Sequence, residues 1–188
     1  MTDETKHIVK VTLDEKSIVR RNADVEHERA VAIFDLLEHN HFIPSQEVVE
    51  GNAGPYSLHL RIEEDRLILD IRTEDEAPLG IVALNLKIFS KIVKDYFLVC
   101  ESYFEAIKSS TPARIEAIDM GRRGLHDEGA EILSDRLKGQ IDIDTNTARR
   151  LFIPMSAPAP GVQRDQAPAR RQDHHRRVLG HLDSVTGT

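Results

Sequence analysis

The sequence predicts an α+β fold: a small, mainly antiparallel sheet packed against three helices, two of which form a long antiparallel hairpin. Three observations carry that prediction. Residues 85–109 read NLKIFSKIVKDYFLVCESYFEAIKS, with Leu86, Phe89, Val93, Tyr96, Phe97, Cys100, Phe104 and Ile107 recurring at spacings of three and four. Residues 56–72 alternate apolar and polar side chains on either side of Glu64-Asp65, as the two arms of a β-hairpin do. Thr111-Pro112 then opens a second long helix directly after the first, Pro at a first helical position being a strong start signal. Long helices joined by so short a link become antiparallel neighbours.

Taken in order, residues 7–13 alternate as a strand that joins the sheet, with Val9, Val11 and Leu13 inward. Residues 14–21 form a turn or short helix. Helix 23–40 has Asn22 as its cap, Asp24 and Glu26 complementing the dipole, and Ala30, Ile33, Phe34 and Leu37 as its apolar face. Pro44 marks its end, and residues 45–55, with Gly51, Asn52 and Gly54, form a loop. In the hairpin of strands 57–62 and 67–72, folding about Glu64-Asp65 sets Ile62 against Leu67, Leu60 against Leu69 and Leu58 against Ile71. A slip of one residue would turn that whole set to solvent, so this register is favoured.

Strand 79–84 is apolar on both faces and feeds straight into the central helix, 86–108, capped by Asn85. Ile88, Ile92, Val99 and Tyr103 widen its stripe beyond a coiled-coil seam. Helix 112–137 contains Gly121, Gly124 and Gly129. Each costs about 1 kcal/mol against Ala, so either another group approaches the backbone closely or the helix breaks near Gly124. A short strand at 141–143 and a last helix through Phe152, capped by Asp144 or Thr145, complete the domain at residue 153.

Charge is unevenly placed. Residues 1–153 hold 20 Lys plus Arg against 29 Asp plus Glu, a balance of −9, whereas residues 154–188 hold five Arg against three Asp. An acidic body lacks the basic face that nucleic-acid backbones require. From Pro154 the chain is rich in Ala, Pro, Arg and His without periodicity, which predicts a disordered tail. The switch falls inside an apolar helix and reads as a frame change in the coding sequence. The single cysteine, Cys100, lies on the apolar stripe and reads as a buried small hydrophobe. The acidic start carries no signal-peptide pattern, and no apolar run approaches the ~20 residues that span a bilayer. The expectation is a cytoplasmic protein with no membrane contact.

No Gly-rich phosphate loop or paired Cys-x-x-Cys motif indicates a cofactor. His27-Glu28-Arg29-Ala30-Val31 begins like a zinc-protease helix but has Val31 where the second His belongs. The first candidate site is Asp119–Glu131, DMGRRGLHDEGAE. Arg122, Arg123 and His126, with Asp127 or Glu128 as an acid–base partner, have the chemistry to hold a small carboxylate or phosphate. In a helix, Arg122 and His126 are i, i+4 neighbours and Arg123 lies between Asp119 and Asp127. The plainer reading is a solvated face laced with ion pairs. Glu26-His27-Glu28-Arg29, with Glu38, His39 and His41, are a second candidate for a metal, but His27 and His39 lie about 18 Å apart along one helix. Third, the hairpin register sets His59 opposite Asp70, an oriented base or a simple cross-strand pair.

The blocks RNADVEHERAVAIFDLLE, GPYSLHLRIEEDRLILDIR, IVKDYFLVCESYFEAI, IEAIDMGRRGLHDEGAEIL and TARRLF resemble, in this order over about residues 6–152, the bacterial uncharacterised protein family UPF0262. The resemblance implies a bacterial cytoplasmic protein and carries over no activity, cofactor or catalytic residue. Family members finish with a short apolar segment after the position of Phe152, and this chain departs there.

The leading functional expectation is a non-catalytic regulatory or interaction module, binding an unidentified protein or forming a homodimer through the helical hairpin. The alternative is a binding protein or enzyme for a small anion at Arg122, Arg123 and His126, and a metal-dependent enzyme ranks last. Convergence of those side chains with Glu26, His27 or Arg29 in a concave pocket would favour the anion reading.

Overall fold

The computed structural model describes residues 5–18, 23–51 and 53–156. The hairpin forms in the predicted register: β3 (Tyr56–Glu63) and β4 (Arg66–Thr73) are antiparallel, with Ile62 opposite Leu67, Leu60 opposite Leu69 and Leu58 opposite Ile71. All six side chains are buried. The turn between them lacks glycine, and Glu64 itself takes a positive φ of 54°. β5 (Pro78–Asn85) lies on the other side of β4, antiparallel, and β1 (Ile8–Leu13) joins β3 in parallel, so the strand order is β1-β3-β4-β5. The sheet is therefore mixed, with two of its three pairings antiparallel.

The inward set of β1 differs from the simple alternation. Its register skips a residue between Ile8 and Lys10, which lie opposite Tyr56 and Ser57. Val9 is the extra residue of a β-bulge, and the bulge shifts the phase. Ile8 is consequently fully buried, while Val11 and Leu13 pack partly against the core. In β5 only Val82 and Leu84 are buried, and Ile81 is 57% exposed. The helices cover the face of the sheet that carries Leu58, Leu69 and Val82. The opposite face carries His59, Arg61, Asp70, Arg72 and Ile81.

Helix α1 (Ala23–Glu38) buries a different stripe from the expected one. Val25, Arg29, Ala32 and Leu36 face inward, and Phe34 is 63% exposed. Both stripes have helical spacing, but the buried one contains an arginine, which a hydrophobic pattern assigns to solvent. Glu26 compensates that charge, accepting from Arg29 Nη1 at 2.7 and 2.9 Å. Asn40 fastens the end of α1 to β1: its Oδ1 accepts from Ile8 N at 2.7 Å, and its Nδ2 donates to Ile8 O and Leu36 O at 2.9 and 2.8 Å. Pro44 belongs to a strand, β2 (Phe42–Pro44), that pairs antiparallel with the expected short strand, β6 (Ile141–Ile143). Asp14–Ile18 form a turn, with Ile18 N donating to Asp14 O at 2.8 Å. Residues 19–22, including the expected cap Asn22, and Asn52 of the loop lie outside the described residues.

The central helix starts with a 3-10 turn, Leu86–Ile88, for which Asn85 Oδ1 accepts from Lys87 N at 2.9 Å. α2 proper is Ser90–Ser109, and α3 (Pro112–Leu137) packs back along it as the predicted helical hairpin. α3 runs unbroken through its glycines. Gly129 is the close approach, since a Cβ there would run into the Phe152 ring of α4 (Thr145–Met155), whereas Gly124 faces open space. Asp144 caps α4, its Oδ1 accepting from Thr147 N at 2.7 Å. α4 continues past Ile153 through Pro154 to Met155, both buried. The expected tail lies, from residue 157 on, outside the described residues.

Candidate functional site

Asp119, Arg122, Arg123, His126, Asp127 and Glu128 all lie on α3. The helix brings Arg122 and Arg123 onto one carboxylate. Arg122 Nε and Nη2 donate to Asp119 Oδ1 at 2.9 and 2.8 Å, and Arg123 Nη2 lies 2.6 Å from Asp119 Oδ2. Arg122 also reaches α1, where Nη1 is 3.7 Å from Glu28 Oε1, and its guanidinium stacks 5.3 Å from the centre of the Tyr103 ring of α2. Burial on its own would raise the Asp119 carboxyl, but the bonds and charges of the two arginines outweigh it and hold the group below the usual carboxylate value. For Arg122, burial opposes the charge, and Asp119 and Glu28 more than compensate.

His126 packs between aromatic rings. Its ring sits 5.9 Å from the Tyr96 ring and 6.1 Å from that of Phe152, and Nε2 lies 2.6 Å from Arg149 O on α4. A carbonyl only accepts, so Nε2 carries the proton. Burial lowers the pKa below the usual 6.5, against the pull of that carbonyl, and the ring is neutral at pH 7. Asp127 Oδ1 meets Arg149 Nε at 3.1 Å, and Glu128 is exposed. Arg122 and His126 differ in their direct contacts, the first tying α3 to α1 and α2 and the second tying α3 to α4, although the two lie near enough for the Arg122 charge to lower the His126 pKa further. The group that α1 brings to Arg122 is Glu28, not Glu26, His27 or Arg29.

Tyr96, Tyr103 and Arg149 are members of this cluster that the sequence did not single out as site residues, and Glu28, from the candidate run on α1, stands beside Arg122. Tyr96 Oη donates to Glu28 Oε2 at 3.1 Å. Each comes from another helix, so no local spacing marks them. Cys100 is buried as expected, and burial together with nearby Glu28 pushes its thiol up to about 11. Arg29, 4% exposed, leaves its Nε and Nη2 without a hydrogen-bond partner.

The other candidates resolve into pairs. His59 lies opposite Asp70 in register, but its Nε2 sits 2.5 Å from Glu76 Oε2, while Asp70 Oδ2 accepts from Arg61 Nη1 and Arg72 Nη2 at 3.0 and 2.8 Å. Glu26 pairs with Arg29, and His27 is exposed. Among the described residues, no group of three His, Cys, Asp or Glu side chains is placed to hold a metal ion. A surface cleft of about 470 Å³ lies between Ile43–Ser45 and the segment 138–143, and none of the candidate residues lines it. No helix among the described residues is long and apolar enough to cross a membrane.

Comparison with known proteins places this arrangement in a family. The model of the uncharacterised protein family UPF0262 matches residues 5–157. The chain belongs to the UPF0262 family. A UPF0262 protein of Paramagnetospirillum magneticum is 61% identical over 145 residues, covering 77% of this chain and 90% of that one. Another, of Rhodospirillum rubrum, is 56% identical over 149 residues, covering 79% and 89%. No solved structure matches the chain. The UPF0262 match spans β1 to α4, so it includes every element that supplies the Arg122 and His126 clusters.

Proposed function

We propose that this UPF0262 protein is a non-catalytic regulatory or protein-interaction module of the bacterial cytoplasm. The observation that carries the reading is the internal neutralisation of the Arg122–Arg123 patch by Asp119 and Glu28. An anion entering there must displace a carboxylate from a partly buried guanidinium, which forfeits about as much as it gains. His126, the third anion-holding group of that alternative, is committed to a backbone carbonyl.

The surface that remains for recognition is the helical hairpin. α3 has no fully buried residue from Pro112 to Glu128, and within that stretch Leu125 packs only partly against the core. Leu98, Ile107 and Met120 are large apolar side chains exposed on that hairpin. Exposed apolar groups on a charged helix pair are the ordinary material of a docking face. A partner with an apolar patch rimmed by basic groups complements the acidic body.

The test combines two measurements. In affinity capture, the wild-type chain and Arg123→Ala should retain the same protein, and Leu98→Glu/Met120→Glu, verified as folded by circular dichroism, should lose it at least tenfold. In a thermal-shift screen, phosphate, nucleotides and dicarboxylates should leave Tm unchanged. A shift of several degrees that disappears in Arg123→Ala would overturn this reading in favour of an anion site.

A further inference from the structure

β5 is a sheet edge whose stretch from Gly80 to Asn85 lacks the usual protection. It pairs with β4 on one side, and no described strand lies on the other. The bond from Leu86 N to Asp65 O, 2.9 Å, sets the phase of the ladder. Antiparallel alternation then directs the N–H and C=O groups of Gly80, Val82 and Leu84 toward β4 and leaves those of Ile81, Ala83 and Asn85 pointing outward. No backbone bond from another described segment reaches these outward groups.

Edges of this kind are ordinarily blunted by charge, by proline or by a bulge. β1, the opposite edge, has both Lys10 and the bulge at Val9. β5 has Pro78 and a bulge at Leu79 at its start, where its register with β4 shifts, but from Gly80 to Asn85 it has no proline, bulge or charged side chain, in a chain that is 30% charged. Ile81, more than half exposed in the middle of the strand, gains nothing from that position in a monomer.

We propose that β5 pairs antiparallel with the β5 of a second copy of this chain, joining two four-stranded sheets into one. The proposal is independent of the docking face on the helical hairpin. Charge selects the second copy as occupant. Two-fold pairing lays the start of one β5 beside the end of the other. Glu74 and Asp75 lie in the turn before β5, Lys87 lies two residues after it and Lys91 in the first turn of α2, and all four are exposed. Among the described residues, Glu74, Asp75 and Lys91 have no salt-bridge partner, and Lys87 meets only the exposed Asp65. The pairing thus brings the acidic turn of each copy to the lysines of the other, twice per dimer. A chain of net charge −7 repels its copies over most of its surface. Along β5 no like charges meet, and Ile81 becomes covered.

Light scattering after size exclusion of the full chain, at about 100 μM, tests this. The expected mass is twice the 21.3 kDa of one chain. Ala83→Pro removes an N–H that the monomer does not use, and Ile81→Lys places a charge on the exposed edge. Each should give a monomer with an unchanged circular dichroism spectrum. Asp75→Lys and Lys91→Glu should each weaken the dimer about tenfold, and the two together should restore it. A wild-type monomer would overturn the proposal, as would a dimer that survives Ile81→Lys. Should Ala83→Pro fail to fold, Ile81→Lys and the charge exchange decide alone. Leu98→Glu/Met120→Glu should leave the dimer intact, and loss of the dimer there alone would move the interface to the hairpin and also overturn the proposal.

Discussion

Arg122 is held between helices by two carboxylates, those of Asp119 and Glu28, and by the Tyr103 ring, and it is one-fifth exposed. Removing the carboxylate leaves a partly buried cation without its main partner, so Asp119→Asn should cost about 1–3 kcal/mol in urea unfolding. Arg123, 67% exposed, should cost under about 0.5 kcal/mol as Arg123→Ala. His126 adds a pH dependence with a definite sign. Burial depresses its folded-state pKa below 6.5, so the unfolded chain binds the proton more readily. Stability from this group is full above 6.5 and declines as the pH falls from there toward the lower folded value. Unfolding measured at pH 7.5 and pH 5.5 should show a loss that His126→Gln reduces.

At the scale of elements, two glycines of α3 are expected to behave oppositely. A Cβ at Gly129 runs into the Phe152 ring, and overpacking costs about 1–3 kcal/mol, more than the ~1 kcal/mol of helix propensity recovered. Gly129→Ala should therefore lower Tm, whereas Gly124→Ala, facing open space, should raise stability by about 0.5–1 kcal/mol. In the β3–β4 turn, Glu64 has a left-handed backbone that Asn tolerates better, so Glu64→Asn should raise Tm slightly. The hairpin register was legible because six apolar residues at period two allow one pairing and forbid its neighbour. The face of α1 was not, because two stripes share the helical period. The choice fell on the one containing Arg29, whose charge Glu26 offsets from the preceding turn.

The described residues form a four-stranded sheet with one face covered by helices, a two-stranded sheet of β2 and β6, and a helical hairpin whose α3 has no fully buried residue before Gly129. That architecture leaves two surfaces unused in a single chain, the edge β5 and the first half of α3, and gives each a different proposed occupant. The UPF0262 match ends at residue 157, two residues beyond α4. We propose that the folded unit ends there, and a chain stopped at Ala157 should keep its Tm within about 3 °C of the full chain. A larger fall would show that the following residues contribute to packing.

Local patterning determined the secondary elements, the hairpin register and the helical hairpin, because period and punctuation act between residues close in the chain. The sequence also singled out the chemistry-bearing run on α3. What these side chains do was decided by tertiary structure alone. Glu28 lies far from Arg122 in the chain, and Arg149 lies well beyond His126, and only packing brings them within reach. A charge pattern read along one helix shows which groups are present, whereas the partners that neutralise them come from other helices.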